Sequence, residues 1–173
     1  LGRFGKEPSA WEIFRGDSFQ LEVNAEEALR AAILIKATIK QIKDLDVRIA
    51  IGIGEKEQKS KKITESNGEA FVNSGLAFEV LNKKRTLSLR TPWPDIDDQL
   101  TLAIDLALLT MNTWPANAAS YIQVAIENPT LTQQQLSQKL GKSQGSISES
   151  LNRAGFDDIM RLEQKFRELI TSQ

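Results

Sequence analysis

Five side chains in one short stretch, Gln144, Ser146, Ser148, Asn152 and Arg153, are hydrogen-bonding groups of the kind that reach base edges in a major groove. Gln144, Ser148, Asn152 and Arg153 carry the amide, hydroxyl and guanidinium groups suited to reading a base. Lys139 and Lys142, just upstream, are point charges suited to phosphate. That chemistry is recognition without bond making. Composition narrows the alternatives. The 173 residues include no cysteine and no histidine, which removes disulfides, thiolate and imidazole metal sites, a cysteine nucleophile and Ser-His-Asp triads together. Any catalysis would fall to carboxylates with a hard metal ion.

The elements that must position the five side chains are legible in Thr132 to Ala154. Leu136 and Leu140 sit four apart, Gly141 interrupts, and Ile147 and Leu151 again sit four apart. The spacing predicts two short amphipathic helices joined by a glycine turn, with Ser143 as N-cap of the second. The segment Leu140-Gly141, Ser143, Ile147-Ser148, Leu151 and Arg153-Ala154 resembles the helix-turn-helix family. That resemblance implies a second helix docked in a DNA groove. A plain helical hairpin without nucleic acid is the alternative reading. The basic residues of the stretch are Lys139, Lys142 and Arg153 against one acid, Glu149, so affinity would lean on a dimer binding two half-sites.

The totals agree with a local rather than a global interface. Lys and Arg number 22 against 23 Asp and Glu, a net charge of −1, so the molecule as a whole is no electrostatic glove for nucleic acid. The length suits one large or two small domains. The longest apolar run, Leu100 to Met111, contains Asp105 and is too short to cross a bilayer. With no signal peptide visible, the expected location is cytoplasmic, with no membrane partner.

From the N-terminus, Ala10 to Phe14 and Ser18 to Val23 read as a β-hairpin closed by Arg15-Gly16-Asp17, with Trp11, Ile13, Phe19, Leu21 and Val23 as core or cross-strand partners. Asn24 and Glu27 suggest a capping-box start to a helix running to about Asp44. Its buried stripe is Ala28, Ala32, Ile35, Ile39 and Ile42, with Lys36, Lys40 and Lys43 toward water. Val47, Ile49, Ile51 and Ile53 then form the bulky face of a strand. Its other face, Arg48, Ala50, Gly52 and Gly54, is small enough at the glycines for close approach by another group.

Glu55 to Ser66, with Gln58, Ser60 and Thr64, reads as a mobile loop, and Gly52-Ile53-Gly54 lacks the spacing of a dinucleotide fingerprint. A helix at about Gly68 to Asn82 presents Phe71, Val72, Leu76, Phe78, Val80 and Leu81, and a strand from Thr86 to Arg90 points Leu87 and Leu89 inward. These elements predict a two-layer α+β sandwich over residues 1–92.

Pro92-Trp93-Pro94 marks a boundary. A connecting helix over 93–113 follows, with Asp95, Asp97 and Asp98 in its first turn, where the helix dipole favours acids over a metal role. It is apolar on more than one side, which predicts burial between domains or in a dimer. Residues 114–173 form an all-α domain, where Ile159, Leu162, Phe166, Leu169 and Ile170 make a terminal stripe that packs on the DNA-binding unit or on a second copy.

Three segments carry a second resemblance. Arg15-Gly16-Asp17-Ser18-Phe19 is similar to the Gly-Asp hairpin of class III nucleotide cyclases and diguanylate cyclases. Val47 to Glu55 resembles their "R-x-G-I-x-x-G-E" strand, and Gly68 to Ser74 the start of the helix after it. Combined with the C-terminal helices, the chain resembles the bacterial SatD-like family. The resemblance implies a ferredoxin-like, cyclase-like sheet joined to a DNA-binding unit. It offers Asp17 as a metal ligand and Asn73 as a helper at a nucleotide site.

The family pattern is incomplete. Ile13 stands where cyclases place a base-reading Lys, Ser18 follows Gly-Asp where diguanylate cyclases have Glu, and Gly75 stands where SatD-like sequences often carry Arg. In the family, a first strand bearing a second metal-binding Asp lies ahead of the hairpin, and these 173 residues do not include it. With Leu1 in place of an initiator Met, missing upstream sequence is expected.

The leading expectation is a DNA-binding transcriptional regulator whose degenerate cyclase-like domain senses a small molecule or nucleotide, or dimerises. A metal-dependent nucleotide cyclase and a protein-interaction module are the alternatives. No cofactor is expected, and Mg²⁺ or Mn²⁺ enters only if the cyclase-like site is functional.

Overall fold

A computed structural model describes residues 1–56 and 61–173. The hairpin forms as read. β1 (Trp11–Phe14) and β2 (Ser18–Leu21) are antiparallel, with Phe14 opposite Ser18, Ile13 opposite Phe19 and Trp11 opposite Leu21. Arg15 and Gly16 turn the chain in the left-handed region, at φ 54° and 81°. The hairpin is a surface ribbon. Ile13 is exposed, while Trp11, Phe19, Leu21 and Val23 are half-buried, so the pairing was legible and the burial was not.

α1 (Ala28–Ile39) is shorter than the periodicity suggests. A 3-10 turn over Ala25–Glu27 precedes it, and no side chain caps its start. Beyond Ile39 the backbone tightens into i→i+3 bonds, Gln41 N–H to Thr38 and Ile42 N–H to Ile39, and Asp44 turns left-handed at φ 62°. Ile42 is thereby turned into solvent and leaves the expected stripe. Lys36 is the larger correction. It is 1% exposed, among the buried Leu29, Ala32, Ile33 and Ala37.

β3 (Ile49–Gly52) and β4 (Leu87–Arg90) are parallel neighbours linked through α2 (Glu69–Glu79). Ile49, Ile51, Leu87 and Leu89 join the core formed with α1 and the next helix, α3 (Pro94–Met111). α2 packs on the pair and meets the small-residue face at Gly52. A Cβ there would lie 2.1 Å from the Ala70 carbonyl oxygen and 2.3 Å from the Ser74 nitrogen. Backbone that close leaves no room for bulky side chains between helix and strand. Asn73 and Ala77 therefore face inward, while Val72, Leu76, Phe78 and Val80 are exposed.

The mixed α+β class holds. The finer ferredoxin-like sandwich would need hairpin and parallel pair in one sheet, and the described strands form two. Ile63 and Thr64 are pinned where a mobile loop was expected: Ile63 is buried and its N–H donates to the Pro8 carbonyl, and Thr64 Oγ1 bonds Glu12. Gln58 and Ser60 lie outside the described residues.

α3 (Pro94–Met111) opens with Pro94 and has Asp95 and Asp97 in its first turn, where the Asp97 carboxylate accepts from the Thr91 N–H at 2.8 Å. α4 (Ala116–Glu127), α5 (Gln133–Leu140), α6 (Gln144–Arg153) and α7 (Phe156–Thr171) complete the chain. α4 rests on α1, and one apolar core runs from Leu29 through Ile104 and Ile122 to Ile170.

Polar contacts bind the same seam. Lys36 Nζ donates to Asp46 (2.7 Å) and Thr86 Oγ1 (3.0 Å), Thr86 donates to the Asn112 side chain, and Lys40 donates to the Asn112 carbonyl. α7 buries Ile159, Phe166 and Ile170 within this same chain, and Arg167 joins Glu163 to Glu27 ahead of α1.

Candidate nucleic-acid interface

Local sequence signals set the ends of α5 and α6. Thr132 and Gln135 form a reciprocal capping box: the Gln135 N–H donates to Thr132 Oγ1 and the Thr132 N–H to Gln135 Oε1. Thr132→Ala is expected to destabilise the protein by about 1 kcal/mol, the usual worth of such a cap, read as a lower thermal midpoint. Gly141, at φ 61°, ends α5 in the left-handed conformation that favours glycine, and the Lys142 N–H returns to the Ser137 carbonyl. Ser143 caps α6 as expected, accepting from the Ser146 N–H at 3.3 Å.

The apolar side of the pair is fully used. Leu136 and Leu151 are buried and Ile147 is completely so, where α6 packs on α4, α5 and α7. Trp114, just before α4, donates its ring N–H to the Ala154 carbonyl at the end of α6, at 3.0 Å. That bond is buried. It fixes the C-terminal end of α6 to the rest of the core.

Gln144, Ser146, Asn152 and Arg153 are exposed, as a reading face requires, whereas Ser148 is half-buried. At about 100° per residue, the centre of the outward face falls to Gly145, Glu149 and Asn152. Gln144 and Ser148 flank it on one side, Ser146 and Arg153 on the other. Ser148 and Asn152 also border a groove of about 520 Å³, whose other walls include Arg30, Asn128 and Met160.

Glu149, at the centre of this face, is not among the base contacts expected from the sequence. Its carboxylate can accept a hydrogen bond from a cytosine amino group, and the helical spacing alone would have placed it. Arg153 pairs with Glu149 at 3.5 Å, with both side chains mostly in water. A pair so exposed contributes little to stability and opens readily to another partner. Lys142 is exposed in the turn, while Lys139 donates to the Asn128 side chain at 3.2 Å.

Asp17 is exposed at the hairpin tip, accepting from Ser18 Oγ. Asn73 is buried under α2, where its Nδ2 donates to the Ile53 carbonyl at 2.7 Å and holds the helix to the end of β3. Among the described residues, no group of three or more His, Cys, Asp or Glu side chains is placed to hold a metal ion. No described helix is long and apolar enough to cross a membrane. Comparison with known proteins finds no matching family model, no matching curated protein and no matching solved structure.

Proposed function

We propose that the chain is a DNA-binding transcriptional regulator of SatD-like type, in which α6 reads a major groove. Its α+β half would be a degenerate relative of the nucleotide cyclases, serving sensing or pairing rather than catalysis. The observation that carries the reading is the outward face of α6. It is a rigidly mounted row of amides, hydroxyls and one guanidinium, with the apolar side fully buried and only a solvent-exposed ion pair across it. Gln144, Asn152, Arg153 and Glu149 are the base-reading set, with Ser148 and Ser146 on the flanks. Lys142 and Lys139 serve phosphate, Lys139 by releasing Asn128.

Selection from random duplex DNA tests the proposal. Specific retention is expected, with affinity falling as salt rises by a log–log slope of about −0.9 per phosphate neutralised. On the selected site, Arg153→Ala is expected to weaken binding by about 1–3 kcal/mol and relax the preference at one position, with the thermal midpoint unchanged. No enrichment over bulk DNA at low salt would refute the proposal. An unaltered isotherm for the variant would remove Arg153 from the reading set.

A further inference from the structure

α3 is apolar on two sides, and only one side is used. Ile96, Leu100, Ile104, Leu108 and Met111 enter the core, while Leu102, Leu106 and Leu109 remain 65%, 58% and 72% exposed. Spaced by four and three residues, these leucines lie within an arc of about 60° on the helix surface. Isolated exposed leucines are ordinary. A continuous stripe of three marks a contact surface.

The charges at the two ends of the stripe say what covers it. Asp95 and Asp98 flank its N-terminal end. Near the other end, the Asn112 side chain donates to the Lys84 carbonyl at 2.7 Å, drawing Lys83 and Lys84 beside the C-terminal turn, and Arg85 pairs with Asp105. We infer that α3 packs antiparallel on α3 of a second copy of this chain, about a two-fold axis at Leu106. In that arrangement Leu102 meets Leu109 of the partner subunit. Asp98 comes level with Asn112 and Lys84 of the partner subunit, so acid meets base at both ends. A parallel pair would stack acid on acid and base on base.

α2 also exposes Val72, Leu76 and Val80, but Glu79 borders that stripe, about 20° from Val72, and would lose water on pairing. The two-fold packing is isologous and closes on itself as a dimer. A contact centred on one helix pair sits at the small end of the interface range, about 1,200 Å² in total, so pairing depends on concentration. The inference stands on the exposed stripe and the charges at its two ends, and goes beyond the DNA reading. It also supplies the two-fold symmetry that paired half-sites need.

Sedimentation of the whole chain over a concentration series, without DNA, is expected to show monomer passing to dimer. Leu106→Lys should raise the dissociation constant on the order of 100-fold, since it brings two lysine charges to the apolar centre, with circular dichroism unchanged. Leu76→Lys should leave the mass series unaltered. Because the chain has no cysteine, oxidation can report the geometry. Leu106→Cys alone should form an intermolecular disulfide, as should the double variant Leu102→Cys/Leu109→Cys, whereas Leu102→Cys alone should not. A wild type that stays monomeric throughout, dissociation by Leu76→Lys, or cross-linking by Leu102→Cys alone would each overturn the inference. All these readouts are blind to DNA, so a failure of the DNA reading leaves them standing and is seen separately.

Discussion

Gly52→Ala is expected to destabilise the protein by about 3 kcal/mol or more, although it adds a single methyl group. The new Cβ would sit 2.1 Å from the Ala70 carbonyl oxygen and 2.8 Å from the Ser74 Cα. Both are backbone atoms of α2 and cannot rotate away. Relief requires the whole helix to rise by about 1 Å, which loosens the seam that hides Ala77 and strains the bond from Asn73 to Ile53. For a chain of this length, the loss corresponds to a fall of about 6–12 °C in thermal midpoint. Gly75→Ala is the control. It lies on the exposed side of the same helix with nothing within 4 Å of its added Cβ, and it is expected to stabilise by about 0.5–1 kcal/mol. Equal melting curves for the two variants would show that α2 does not rest on the strand as described.

The second large effect lies at Lys36. Removing its partner by Asp46→Ala leaves a buried ammonium with only the Thr86 hydroxyl, at an expected cost of about 3 kcal/mol, the lower end for breaking a buried pair because Asp46 is partly in water. Lys36→Met should be close to neutral, since Asp46 keeps solvent, the Val47 N–H and Lys40 at 3.5 Å. The double variant should then resemble Lys36→Met alone, a non-additivity that a double-mutant cycle reads directly.

The pH dependence has a definite sign. Burial lowers the Lys36 ammonium from its ordinary 10.5, with the Asp46 bond only partly offsetting it. The folded chain therefore binds this proton more weakly than the unfolded chain, and stability rises as pH climbs toward that value. For Asp46, burial would raise the carboxyl, but the bonds from Lys36 and Val47 and the nearby Lys40 outweigh it and hold the group below 3.8. Its contribution is full above that value and is lost as pH falls through the acid range. Urea midpoints on either side of neutrality should show both slopes in the wild type, and a steeper alkaline rise in Asp46→Ala. A flat profile in both proteins would contradict the buried pair.

What the sequence disclosed depended on how local its causes were. The hairpin, Gly141, the cap at Ser143, and the exposure of Gln144, Asn152 and Arg153 are decided within a few residues, and they formed as read. The burial of Lys36 is decided by Asp46, ten residues on, and Thr86, fifty residues on, so periodicity sent it to water. The outward turn of Val72, Leu76 and Phe78 follows from a glycine on a different element. In the candidate interface the residue types were legible. Their division into centre and flank, and with it Glu149, was implicit in the helical spacing opposite Ile147 and Leu151. Asn73 read as a ligand-facing amide because nothing local reveals that the Ile53 carbonyl waits for it.

The bond from Trp114 to the Ala154 carbonyl carries one more consequence. A reading helix on a loose tether must give up orientational freedom when it docks, and that entropy is subtracted from its affinity. Here the far end of α6 is clamped by an indole that is itself rooted between α3 and α4, so the orientation is set before any encounter. Whatever duplex or surface α6 meets, it meets as a stiff template. Adaptation would have to come from the other side of the contact.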